Sequence, residues 1–172
     1  GGGVHRFDFD GRYAYISPTV EGYVGNIVMI LDLADPAKPQ EVGRWWIPGQ
    51  WQAGGEEYPW DNWVPPRCHH PLRFGDRLYV SYWHHGFFIL DISDMSKPKA
   101  ISGVNTSPVY PHPTHTCLRI PHKLRGRDIL VVADEGSGEG DHGRRGAVRW
   151  LRVLHPLRDG QSAGDDGPAR SL

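Results

Sequence analysis

One segment occurs twice in this chain and begins a third time, so the fold must reuse a structural unit. The first copy runs from His5 through Asp10-Gly11-Arg12-Tyr13-Ala14-Tyr15-Ile16 to Ile30-Leu31-Asp32-Leu33-Ala34-Asp35-Pro36-Ala37-Lys38-Pro39. The second runs from His70 through Gly75-Asp76-Arg77-Leu78-Tyr79-Val80 to Ile89-Leu90-Asp91-Ile92-Ser93-Asp94-Met95-Ser96-Lys97-Pro98. A third opens at His115 and reaches Ile129-Leu130-Val131-Val132-Ala133-Asp134. Repetition on this scale belongs to architectures in which one small supersecondary unit stacks on its own copies to bury a core.

The unit is made of strands. Arg12 to Ile16 and Arg77 to Tyr82 are short, rich in aromatic and β-branched residues, and follow Asp-Gly or Gly-Asp pairs suited to tight hairpins. Ile27 to Leu33 and Phe87 to Ile92 are almost continuously apolar, the pattern of strands covered on both faces. Each apolar strand ends in an Asp-centred turn closed by Pro39 or Pro98. There the Asp side chain can accept from backbone N–H groups just ahead, and proline returns the chain to an extended path. Glu41 to Trp45 and Ala100 to Val104 then read as fourth strands. No amphipathic helix of 12 residues or more is expected before Asp141. Four short strands repeating at about 40–50 residues describe a β-propeller blade. The expected class is therefore all-β: antiparallel four-stranded blades, about two complete and part of a third. Residues 1–48 form blade 1, 49–67 a Trp-rich inserted loop, 68–110 blade 2, 111–135 the start of blade 3, and 136–172 a degraded or truncated blade with a disordered tail. Closed propellers use 4–8 blades. The expectation is thus a fragment of a larger propeller, or else a chain that closes by self-association.

The runs Ile30-Leu31-Asp32-Leu33-Ala34-Asp35-Pro36 and Ile89-Leu90-Asp91-Ile92-Ser93-Asp94 resemble the signature of LVIVD-repeat proteins, a bacterial group. The resemblance covers about residues 4–135 and implies β-propeller architecture. More distantly, the pattern resembles the selenium-binding protein/methanethiol oxidase propellers, a likeness that implies metal-dependent oxidation through histidines without matching individual residues. Fold class alone does not set chemistry, because propellers host many functions.

Composition narrows the remaining choices. A formal net charge of −1 gives no field for nucleic acid or an anionic membrane surface. No apolar run approaches the ~20 residues of a membrane span. The chain opens on Gly1-Gly2-Gly3 rather than Met, and nothing in it selects a compartment, cytoplasmic or exported. Cys68 and Cys117 are compatible with a disulfide, a metal site or two buried free thiols. Motifs for a nucleotide cofactor, a nucleophile elbow or an H-E-x-x-H zinc helix are absent.

The histidines carry the chemical signal. His5 precedes Arg12 by seven residues and His70 precedes Arg77 by seven, and His115 heads the third copy. In a propeller the first strand of each blade lines the central channel, so His5, His70 and His115 are the expected ligands of a divalent transition metal, Zn, Cu, Fe or Ni. His69, His84 and His112 are secondary ligand candidates, while Glu135 and His85 are candidates for proton transfer. Two readings follow. One is a metal-dependent oxidoreductase or hydrolase acting on a small molecule. The other is a non-catalytic propeller that holds a small molecule or protein on one face, its histidines serving structure.

Overall fold

A computed structural model describes residues 3–60, 65–105 and 113–135, with the backbone of 151–154. Four strands, β1 (Val4–Phe9), β2 (Tyr13–Pro18), β3 (Val28–Asp32) and β4 (Gln40–Trp45), form an antiparallel sheet in chain order. The pattern repeats in β5 (His70–Phe74), β6 (Arg77–Ser81), β7 (Phe87–Asp91) and β8 (Lys99–Val104). A third sheet is built from β9 (Thr114–Arg119), β10 (Leu130–Asp134) and β11 (Leu151–Leu154). β11 lies within 136–172, the stretch expected to hold a degraded or truncated blade, and pairs antiparallel with β10. Among the described residues the only helical element is a single 3-10 turn, Gln52–Gly54.

Each sheet is a propeller blade, and the blades meet along their first strands, with β5 lying between β1 and β9. The apolar β3 and β7 fill the spaces between blades. Tyr15, Val28, Ile30, Leu78, Val80 and Leu90 are buried between blades 1 and 2, while Phe87, Cys117, Leu130 and Val132 are buried between blades 2 and 3. Burying such side chains is worth about 1.5–3 kcal/mol each, which explains why single blades do not stand alone. Both cysteines are buried and are not joined in a disulfide, and burial pushes the Cys68 thiol well up from its ordinary value.

The Asp-centred turns behave as their chemistry dictates. Asp35 Oδ1 accepts from Ala37 N at 3.1 Å, and Asp94 Oδ1 accepts from Ser96 N at 3.0 Å. The second of these turns has a packing role as well, because Gly43 of β4 lies against the Met95 carbonyl, where a side chain would clash.

The inserted loop is tied down rather than loosely draped. Gln50 is fully buried and acts as a knot. Its Nε2 lies 2.7 Å from Val24 O, 3.1 Å from Asn26 O and 3.2 Å from Pro66 O. Its Oε1 accepts from Ile47 N at 3.1 Å and from the Tyr82 hydroxyl. Glu56 folds the first part of the loop back on its own start, accepting from Gly49 N at 2.6 Å, Trp51 N at 3.1 Å and Trp46 Nε1 at 3.1 Å. Trp63 lies outside the described residues. No helix among the described residues is long and apolar enough to cross a membrane.

Candidate functional site

Strand pairing sets which histidines share a structural level. In blade 1, Phe9 pairs with Ala14 across a four-residue connection; in blade 2, Phe74 pairs with Arg77 across the two residues Gly75-Asp76. The two recurring arginines therefore occupy different places, Arg12 in the connection and Arg77 in the strand. The equivalence that the sheets obey joins Tyr15-Ile16-Ser17 to Tyr79-Val80-Ser81. On the first strands it joins His5 to His69 and Arg6 to His70. Hydrogen bonds repeat the same register: Arg6 N donates to Ser17 Oγ at 2.9 Å and His70 N to Ser81 Oγ at 3.1 Å. Each serine also reaches forward to the next blade, Ser17 Oγ to His69 O at 3.1 Å and Ser81 Oγ to His115 O at 2.7 Å. Counting back from the arginines lands one residue late in blade 2. The Tyr-x-Ser pair is the sequence signal that locates His69.

His5, His69 and His115 consequently converge where the first strands begin. The His69 ring centroid lies 4.7 Å from that of His5 and 4.3 Å from that of His115. Glu135, just past β10, completes the group: one ligand-capable atom from each of His69, His115 and Glu135 lies within 4.8 Å of the others. Two donors bound about 2.1 Å from one ion stand no more than about 4.2 Å apart, so gathering these three needs side-chain motion of roughly half an ångström or more. His69 is buried, His115 half-buried and Glu135 exposed, which opens the group on one side.

The protonation of the two central rings follows from their partners. His69 Nδ1 lies 2.6 Å from the His115 carbonyl, which can only accept, so Nδ1 carries the proton and Nε2 keeps its lone pair. His115 Nε2 faces Arg6 Nη2 at 3.3 Å; guanidinium only donates, so Nε2 is again the acceptor, with Nδ1 turned to Thr116 Oγ1 at 2.8 Å. A hydrogen bond from the far ring nitrogen to a carbonyl or hydroxyl is the arrangement that orients metal-ligating imidazoles. Burial holds His69 down at about 3, reinforced by the charges of His115, His5 and Arg6 against the opposing His115 carbonyl. His5 and His115 are also lowered, chiefly by burial; Glu135 opposes the shift at both. Neutral imidazoles are the form that binds metal.

Trp83 forms one wall. Its ring centroid lies 4.8 Å from that of His69, and its backbone sits at φ 51°, a left-handed conformation that costs a non-glycine residue of order 1 kcal/mol or more. Thr114 N donating to Trp83 O at 2.9 Å holds it there and ties blade 2 to blade 3. The neighbouring Tyr82 faces inward and belongs to the core.

The other candidates lie apart from this group. His70, next along the strand, is half-buried with Nδ1 3.5 Å from Thr116 Oγ1. His84 sits on the β6–β7 connection edge-on to Trp83, 6.1 Å between centroids. His85 packs edge-on against Trp60 at 5.4 Å and borders a separate pocket of about 470 Å³ lined by Trp45, Trp46 and Phe88. His112 lies outside the described residues. The aromatic lining of the pocket beside His85 suits a flat or apolar group.

Fold and site define a class: a β-propeller whose first-strand ends gather histidines at one level. Within it, the LVIVD repeat family model matches residues 1–46 and 74–106, which take in β1 to β4 of blade 1 and β6 to β8 of blade 2. No curated protein matches the chain.

Proposed function

We propose that the group at the first-strand ends is a divalent-metal site, and that this β-propeller is a metal-dependent enzyme acting there on a small molecule. The observation that supports this reading most is the meeting of His69, His115 and Glu135 within 4.8 Å, two imidazoles having their lone pairs oriented by partners on the far nitrogen. His5 is a further nitrogen beside them. Two nitrogens and one carboxylate leave coordination positions open for water or substrate, a donor set used with Zn(II) in hydrolysis and with Fe(II) in oxidation. The metal would supply Lewis acidity or redox chemistry. The chain itself would orient the ligands through the His115 carbonyl and Thr116, and shield one side with Trp83.

The test is metal binding by the purified chain and its variants. Wild type should take up one equivalent of Zn(II) or Fe(II), with H69A and E135Q each weakening binding about tenfold or more, and H70A leaving it nearly unchanged. Equal, substoichiometric metal in all four proteins would overturn the reading. A second reading, a binding module without catalysis, draws on the separate pocket beside Trp60 and His85. It is favoured if ligands bind that pocket equally well with and without metal and the metal variants lose nothing.

A further inference from the structure

We infer that the metal enters this site together with a small oxyanion, a carboxylate or a phosphate- or sulfate-like group, held by Arg6 and Arg67. The inference rests on the metal reading above and adds the charge type of the substrate.

Two guanidinium groups frame the histidines. Arg6 Nη2 stands 3.3 Å from His115 Nε2. Arg67 lies over the Trp83 ring, 5.4 Å from its centroid, and that ring is the one packed on His69. Both arginines act on the charge of His5, so they share its neighbourhood. Five arginines of the described blades sit opposite a carboxylate: Arg12 on Asp32, Arg44 on Glu41, Arg73 on Asp10, Arg77 on Asp91 and Arg119 on Asp128. Arg6 and Arg67 make no ion pair among the described residues, although Glu135 is near.

Charge bookkeeping then gives the ligand its sign. A divalent ion beside Glu135, Arg6 and Arg67 leaves three positive charges uncompensated among the described groups. The ion must also take the His115 Nε2 lone pair that Arg6 now occupies, which frees the guanidinium next to the ion. A freed, planar fork of donors beside an open metal position is suited to an oxyanion that puts one oxygen on the metal and another on the guanidinium. Metal and anion should therefore bind with positive coupling, each raising the affinity of the other by the same factor.

The experiment titrates Co(II) into the chain by its visible absorption, at constant ionic strength in perchlorate, with and without added sulfate or acetate. Sulfate or acetate should tighten Co(II) binding about fivefold or more, within the ordinary range for coupled sites. In R6Q/R67Q the anion effect should vanish, while Co(II) alone should bind as tightly as in wild type or tighter, because two repelling charges are gone. Far-UV circular dichroism confirms that the variant folds, and R6Q alone, which keeps the Arg67–Trp83 packing, should lose part of the coupling. Stoichiometric Co(II) binding that ignores both anions overturns the inference and leaves the metal reading standing. Absence of Co(II) binding under every condition overturns the metal reading, and the inference with it.

Discussion

Replacing Gln50 with leucine tests whether the inserted loop is held by one buried side chain. Leucine fits the volume but makes none of the five hydrogen bonds of the amide. Three groups lose the partner that the amide supplied: the Ile47 N–H and the carbonyls of Val24 and Pro66. Asn26 O retains the Cys68 N–H at 2.8 Å, and the Tyr82 hydroxyl can turn to Asn26 O at 3.4 Å. A buried polar group left without its partner costs about 1–3 kcal/mol. Three of them, with carbonyls near the lower end, add up to roughly 3–5 kcal/mol, a large fraction of the 5–15 kcal/mol that a domain ordinarily has. Tyr82→Phe alone removes one of two donors to Gln50 Oε1 and should cost about 1 kcal/mol. Urea unfolding followed by tryptophan fluorescence measures both, and the double variant should cost nearly the same as Q50L, since the two groups share one interaction. Limited proteolysis should also begin within residues 49–67 in Q50L before either blade is cut. A loss below about 1 kcal/mol for Q50L would refute the idea that this amide anchors the loop.

Asp10 joins blades 1 and 2, accepting from Tyr15 Oη at 2.8 Å, from the backbone of Arg12 and Tyr13, and from Arg73. These hydrogen bonds outweigh its partial burial and hold its carboxyl down at about 2. Because the folded value is lowered, the stabilisation is complete above the ordinary carboxylate range near pH 4 and is lost as pH falls toward 2. Discounted for solvent screening it amounts to about 1 kcal/mol, so Asp10→Asn should flatten the acid limb of a stability–pH curve by that amount, measured by thermal unfolding between pH 2 and 5. An unchanged acid limb would assign the acid sensitivity elsewhere. Gly43→Ala should destabilise by more than 1 kcal/mol in denaturant unfolding, because its added methyl meets the Met95 backbone of the neighbouring blade. A neutral result would mean that the blades separate freely at that point. Cys68 and Cys117 should resist a thiol reagent in the native protein and both react in denaturant. Rapid native labelling of either would contradict the packed interblade core.

Much of the fold was legible because strands write themselves locally. Alternating and continuous apolar runs, an Asp-Gly or Gly-Asp hairpin and an Asp-centred turn are short-range instructions, and β2, β3, β6 and β7 fall within two residues of where those runs begin and end. The clustering of histidine at the heads of first strands was legible for the same reason. Which histidine faces the shared space was not. Phe9 pairs with Ala14 as Arg73 pairs with Leu78, so Arg77 stands where blade 1 has Tyr13, and seven residues back from it falls one position past His69, where a strand turns its side chain to the opposite face. Gln50 was equally silent, since an amide among Gly, Pro and Trp has no pattern until Val24, Pro66 and Tyr82 surround it.

By itself, then, the sequence determined the unit, its repetition and the presence of imidazoles at one end of it, because all three depend on neighbours in the chain. Tertiary structure alone decided that His69 stands with His5, His115 and Glu135, and that Arg6 and Arg67 border them. Those residues come from different blades, and their meeting depends on interblade register, which local periodicity does not encode.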